Sequence, residues 1–173
     1  MAFGDRLKFF RTKLGLTQKM LGLQMGFPER SADIRVAQYE NGSRYPKDEV
    51  IRQFASLFKI HPAALSVPDV ESTTNLMHTL FALEDIYGLR VVEVDGEPFL
   101  YVDREGATFA PALHNELLIW STRVEKLKNG EITREEYDHW RYSFPQPRSD
   151  EDYVIMEKAA ILAEAKRKTK QEK

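Results

Sequence analysis

The sequence predicts a mainly α protein: a five-helix domain followed by a smaller α+β unit made of a helix, a β-hairpin and further helices. Three observations carry this. Apolar residues recur at helical spacing between Asp5 and Leu65, in segments closed by Gly or Asn-Gly. An Asp95-Gly96 pair sits between two β-branched and aromatic runs. The stretch VPDVESTT, residues 67–74, has the proline, hydroxyl and acidic composition of a linker between them.

The elements follow in order. Leu7, Phe10 and Leu14 define an inward stripe on a first helix from about Asp5 to Leu14, ended by Gly15. Thr17 is placed to cap a second helix, because its hydroxyl can accept from the free amides of the first turn. That helix directs Met20, Leu21 and Met25 inward and stops at Gly26. After the polar turn Phe27-Pro28-Glu29-Arg30, Ser31 is the next N-cap, and a third helix runs to Glu40. Asn41-Gly42 closes it, since these residues best tolerate a left-handed backbone. A fourth helix begins near Pro46-Lys47 and buries Val50, Ile51, Phe54, Leu57 and Phe58. A short fifth turn covers Pro62 to Leu65.

In the second unit, Asn75 to Tyr87 reads as a helix with Leu76, Leu80, Leu83 and Ile86 or Tyr87 inward, closed by Gly88. Leu89–Val94 and Pro98–Val102 read as strands joined by a type I′ turn, which requires positive φ at both central residues. Helices are expected from about Pro111 to Asn129 and from Thr133 to about Tyr142, the latter opened by a Thr133–Glu136 capping box. Residues 150–165 predict a last amphipathic helix, with Val154, Ile155, Ala159, Leu162 and Ala163 on one side and KRKTKQEK as a frayed tail. The expected domains are 1–66, a linker 67–74, an α+β unit 75–147, and a C-terminal helix and tail 148–173.

Composition narrows the function. The 173-residue chain has 42% hydrophobic and 30% charged residues, as a soluble protein with a real core has. It holds no cysteine, which excludes a disulfide framework, a thiolate zinc site and a cysteine nucleophile. No apolar run approaches the ~18–20 residues that span a bilayer. The N-terminus MAFGDRLKFF lacks the apolar stretch of a signal peptide, so a cytoplasmic protein with no membrane partner is expected. The net charge of −2 hides an asymmetry: residues 1–66 carry 11 Lys and Arg against six Asp and Glu, whereas 67–150 carry eight against 16. A basic unit joined to an acidic one fits a polyanion-binding domain with a separate partner domain. The four histidines are scattered, and Glu135 with His139 one turn apart fits a surface helix better than a metal pair. No Gly-rich phosphate loop, nucleophile elbow or Ser/Lys pair is present. No enzyme, cofactor or metal is therefore expected.

The helices at 17–25 and about 32–40 have the order of a helix-turn-helix, in which the second helix enters the major groove and the first crosses the backbone above it. Leu16-Thr17-Gln18, Gly26, Tyr39-Glu40-Asn41-Gly42, Pro46, Phe54, Leu57 and Ile60 resemble, in order and spacing, the XRE family of Cro-like and lambda-type repressors. The resemblance covers about residues 4–66. It implies a lambda-repressor-like DNA-binding domain. One departure stands out: the 14 residues between Gly26 and Asn41 exceed the family pattern, and the surplus falls in Phe27 to Ser31. The angle of the reading helix is affected by this longer turn, whose Arg30 can itself touch the backbone.

The resemblance assigns roles by position. With Val36 as the buried anchor, Asp33 and Ile34 match the first base-facing positions, and Ala37 and Gln38 the later ones. Gln38 can pair bidentately with adenine, worth roughly 1–3 kcal/mol of discrimination. Ile34 and Ala37 can meet thymine methyls. Asp33 either accepts from a cytosine amine or stabilises the helix dipole. Arg35 reaches a phosphate or a guanine. Gln18 and Asn41 match positions that hold phosphates and set register. Thr17 caps and adds its amide, while Arg44 and Lys47 clamp the backbone. Tyr39 and Glu40 read as structural.

The second unit says less. Residues about 127–142, with Gly130-Glu-Ile-Thr-Arg-Glu-Glu-Tyr137, resemble a short C-terminal helical hairpin associated with oligomerisation, although a plain helical pair reads as well. Trp120, Trp140, Tyr137 and Tyr142 fit core packing better than a ligand pocket. The expectation is a sequence-specific transcriptional regulator, a homodimeric repressor on a palindromic operator in double-stranded DNA. Its second unit would dimerise or sense a small-molecule or protein effector. The competing expectation is an antitoxin or anti-regulator whose acidic unit binds a protein.

Overall fold

The computed structural model describes residues 3–68 and 70–171. Eight α-helices and one β-hairpin order them: α1 Phe3–Lys13, α2 Gln18–Gln24, α3 Ala32–Glu40, α4 Asp48–Phe58, α5 Thr73–Tyr87, β1 Leu89–Val94, β2 Glu97–Val102, α6 Ala110–Lys128, α7 Arg134–Ser143 and α8 Asp150–Gln171. Single 3₁₀ turns occupy Glu29–Ser31 and Pro62–Ala64. The fold is mainly helical with a two-stranded antiparallel sheet, as the sequence predicts. The chain divides into two compact units, Met1–Leu76 with Asp138–Pro145, and Met77–Tyr137 with Gln146–Lys173.

The first unit closes around Leu7, Phe10, Leu21, Val36, Tyr39, Ile51, Phe54, Phe58 and Leu65. All but Leu65, which follows the last 3₁₀ turn, are positions the sequence places inward or reads as structural. Helix α4 is the most sharply two-sided: Ile51, Phe54, Ala55 and Phe58 are buried, and Val50 and Leu57 pack at the edge. Two expected core residues are not in it. Leu14 is 51% exposed, because α1 ends at Lys13 and Gly15, at φ +67°, redirects the chain. Met20 is half-exposed, because the buried stripe of α2 runs through Leu21 and Gly22, one residue further round. Tyr142 of α7 packs on the same core, its ring edge-on to Phe10 at 4.9 Å, and its carbonyl accepts from the His61 N–H at 2.9 Å. Tyr142 thus serves packing rather than a pocket.

In the second unit, Asp95 and Gly96 take φ +53° and +83°, the backbone the two-residue turn demands, and β1 pairs with β2 from Leu89↔Val102 to Val94↔Glu97. Thr133 and Glu136 form the expected capping box: the Glu136 carboxylate accepts from the Thr133 amide at 2.7 Å, and the Glu136 amide donates to the Thr133 hydroxyl at 3.1 Å. Trp120 donates to the buried Tyr137 hydroxyl at 2.7 Å. Helices α6 and α8 are tied by Arg123 to Asp152 (3.1 Å) and Lys126 to Glu151 (2.6 Å). Two readings need correction. Helix α5 buries no residue fully: Leu80, Leu83 and Tyr87 are half-buried, while Leu76 and Ile86 are exposed, so its apolar stripe is only partly used. Helix α8 turns Asp152, Ile155, Met156, Ala159 and Ala163 inward and leaves Val154 and Leu162 exposed, since ion pairs through Glu151 and Asp152 set its rotation. Residues 166–171, expected as tail, continue this helix; residues 172 and 173 lie outside the described ones.

Candidate nucleic-acid interface

Helices α2 and α3 meet through backbone. A Cβ on Gly22 would lie 2.3 Å from the Ala32 carbonyl oxygen, so only glycine admits this approach. Ala32 and Val36 are fully buried on the facing side of α3. A second close approach fixes the other end: a Cβ on Gly4 would stand 2.1 Å from the Glu40 carbonyl oxygen. Both glycines were missed by sequence reasoning. The available signal was a glycine inside a helix, which costs roughly 0.5–1 kcal/mol against alanine and asks for a compensating reason.

A buried ion pair locks α3 in rotation. Arg11 of α1 donates to the two Glu40 oxygens at 2.6 and 3.2 Å, and also to the Leu16 carbonyl at 2.7 Å. The Gln18 amide donates to Glu40 at 2.8 Å. The two charged side chains are 11% and 6% exposed. Burial makes the pair directional, because a buried carboxylate without its guanidinium would be costly. Glu40 is thus structural, and Gln18 is bound to it. The Thr17 hydroxyl accepts from the Met20 amide at 3.1 Å and caps α2.

Helical spacing leaves the opposite side of α3 outward. Asp33 and Ile34 are exposed, Ile34 by 53%, and Ala37 and Gln38 are half-exposed on the same face. Arg35 lies at the flank, its guanidinium 5.3 Å from the Phe27 ring centroid. Ser31 holds the N-cap position, but its hydroxyl donates back to the Pro28 carbonyl at 3.4 Å and caps no α3 amide; the expected cap is replaced by the 3₁₀ turn that takes up the surplus residues. Arg30 is exposed on that turn, and Lys19 pairs across to its Glu29 at 3.4 Å. Lys19 is a cation of this face that sequence reading left out.

After α3 the chain turns on Gly42 at φ +75°, while Asn41 stays at φ −89°, so glycine alone takes the left-handed position. The Asn41 side-chain oxygen accepts from the Ser43 amide at 2.9 Å. Arg44 stacks over Tyr39 at 6.0 Å, and Lys47 is exposed at the N-cap of α4. Among the described residues no group of three His, Cys, Asp or Glu side chains is placed to hold a metal, and no helix is long and apolar enough to cross a membrane.

A five-element helical unit with a paired α2–turn–α3 and an outward stripe on α3 defines a helix-turn-helix domain. Residues 7–65 match the helix-turn-helix family model, and this segment is a helix-turn-helix of XRE type. A solved structure, that of the transcriptional regulator BswR, is 28% identical, over 49% of this chain and 96% of that one, with a TM-score of 0.38. No curated protein matches the chain.

Proposed function

We propose that this chain is a sequence-specific DNA-binding transcriptional regulator, acting without enzymatic activity in the cytoplasm as a dimeric repressor on a palindromic operator. The observation that carries the reading is the outward stripe Asp33, Ile34, Ala37 and Gln38 on a helix whose rotation is held by Arg11 and Glu40. A reading helix needs that combination: small or hydrogen-bonding side chains outward, and a rigid mount. In this reading Gln38 meets an adenine edge, and Ile34 and Ala37 meet thymine methyls. Arg30, Arg35, Asn41, Arg44 and Lys47, with the amide of Thr17, take the flanking phosphates. Gln18 sets register from its place beside Glu40. Ser31 faces the backbone from the turn, and Asp33 accepts from a cytosine amine. A domain of this size reads a short half-site, so pairing two copies brings useful affinity. The second unit serves dimerisation and effector sensing.

Fluorescence anisotropy of the full chain on labelled duplex DNA tests this. Affinity should fall by orders of magnitude as salt rises, from release of phosphate counterions. Absence of binding even at low salt would refute the reading.

A further inference from the structure

The hairpin β1–β2 carries apolar residues on both faces, and beyond its base neither face is covered: Val91 and Leu100 on one are 68% and 57% exposed. Alternation along the paired strands puts Leu89, Val91, Glu93, Pro98, Leu100 and Val102 on one side. The base of that side is covered, with Val102 buried. The other side holds three cross-strand pairs: Arg90 with Tyr101 at the base, Val92 with Phe99 in the middle, and Val94 with Glu97 at the tip. Here Val92, Val94, Phe99 and Tyr101 are each between 42% and 52% exposed. Together they form a contiguous exposed apolar patch, a feature that is commonly functional. A two-stranded ribbon exposed on both sides beyond its base is marginal in water.

We infer that this face, resting on the dimeric reading above, is the contact with a second copy of the chain. The arrangement of charge selects that occupant. Arg90 stands at the base and Glu97 at the tip, with the apolar residues between them. Two such faces packed across a two-fold axis perpendicular to the strands run base to tip. Val92 and Phe99 then meet their equivalents at the centre, and Arg90 of each copy comes within reach of Glu97 of the other. The pattern is self-complementary, as an isologous interface requires. Within its own chain Arg90 also pairs with Glu84 at 3.0 Å, which holds its guanidinium at the base of the ribbon.

Analytical ultracentrifugation of the full chain tests the assignment. The wild-type chain sediments as a dimer at micromolar concentration. Phe99→Glu weakens dimerisation by at least about tenfold, whereas Val91→Glu on the opposite face leaves it unchanged. Glu97→Arg weakens it by apposing two cations, and adding Arg90→Glu restores it. A monomeric wild type, a Phe99→Glu chain that dimerises normally, or a failure of the exchanged pair to restore dimers overturns the assignment. Selection of DNA sites by the wild type separates the two readings. A symmetric site with a still-dimeric Phe99→Glu chain sinks the hairpin face alone. A monomeric Phe99→Glu chain with no DNA preference in the wild type upholds the face and removes the regulator.

Discussion

Arg11 illustrates how much one residue can decide. Replacing it with methionine leaves the Glu40 carboxylate buried without its guanidinium, and about 3–5 kcal/mol of stability should be lost. Urea unfolding of the full chain measures this; a loss within experimental error would show that the pair does not hold α3. At the DNA-facing side the expectations divide by role. Gln38→Ala should relax preference at one position per half-site by roughly 1–3 kcal/mol, read by competition between operator variants. Arg44→Ala should weaken every sequence alike and reduce the salt slope by about one. Unchanged preference in Gln38→Ala would mean that the register assigned from Val36 is wrong. The outward residues were legible because helical spacing and a resemblance anchored on Val36 place them. The Gln18–Glu40 bond was not, because it joins residues 22 apart whose proximity only the packed helices create.

At the scale of elements, Gly22 sets the distance between α2 and α3. Gly22→Ala should force the helices apart, cost about 1–3 kcal/mol, and weaken DNA binding through a tilted α3. Thermal unfolding with anisotropy checks both, and normal stability would show that the helices can yield. Helix α8 depends on its first turn. Asp152 accepts from the Ser149 amide at 2.9 Å and its own amide donates to the Ser149 hydroxyl at 3.2 Å. Burial works to raise the carboxyl's pKa, but the Ser149 bonds and the Arg123 and Arg148 charges outweigh it, so the value is lowered. A lowered value in the folded state stabilises above the ordinary carboxylate range, and the gain fades as pH falls through it. Asp152→Asn should therefore cost about 1–3 kcal/mol near neutrality, with the difference shrinking towards about pH 3. An equal cost at both pH values would contradict this. Helices and hairpin were legible from periodicity and from Asp95-Gly96. The rotation of α8 was not, since its apolar residues spread around the helix and ion pairs choose the buried side.

For the whole molecule, the helical order of residues 3–65 and the single hairpin follow from local signals that agree with one another. The placement of Tyr142 beside Phe10 does not, because a sequence separation of well over a hundred residues leaves no periodic trace. The reading of function rests on α3 as a sequence reader presented in pairs. Selection of bound sites from a randomised DNA pool by the full chain, at physiological salt and followed by sequencing, tests that most directly. The account predicts recovery of a two-fold symmetric site whose half-sites lie about one helical turn apart, roughly 10–10.5 base pairs or a multiple of it. A bound pool no different from the input would contradict it.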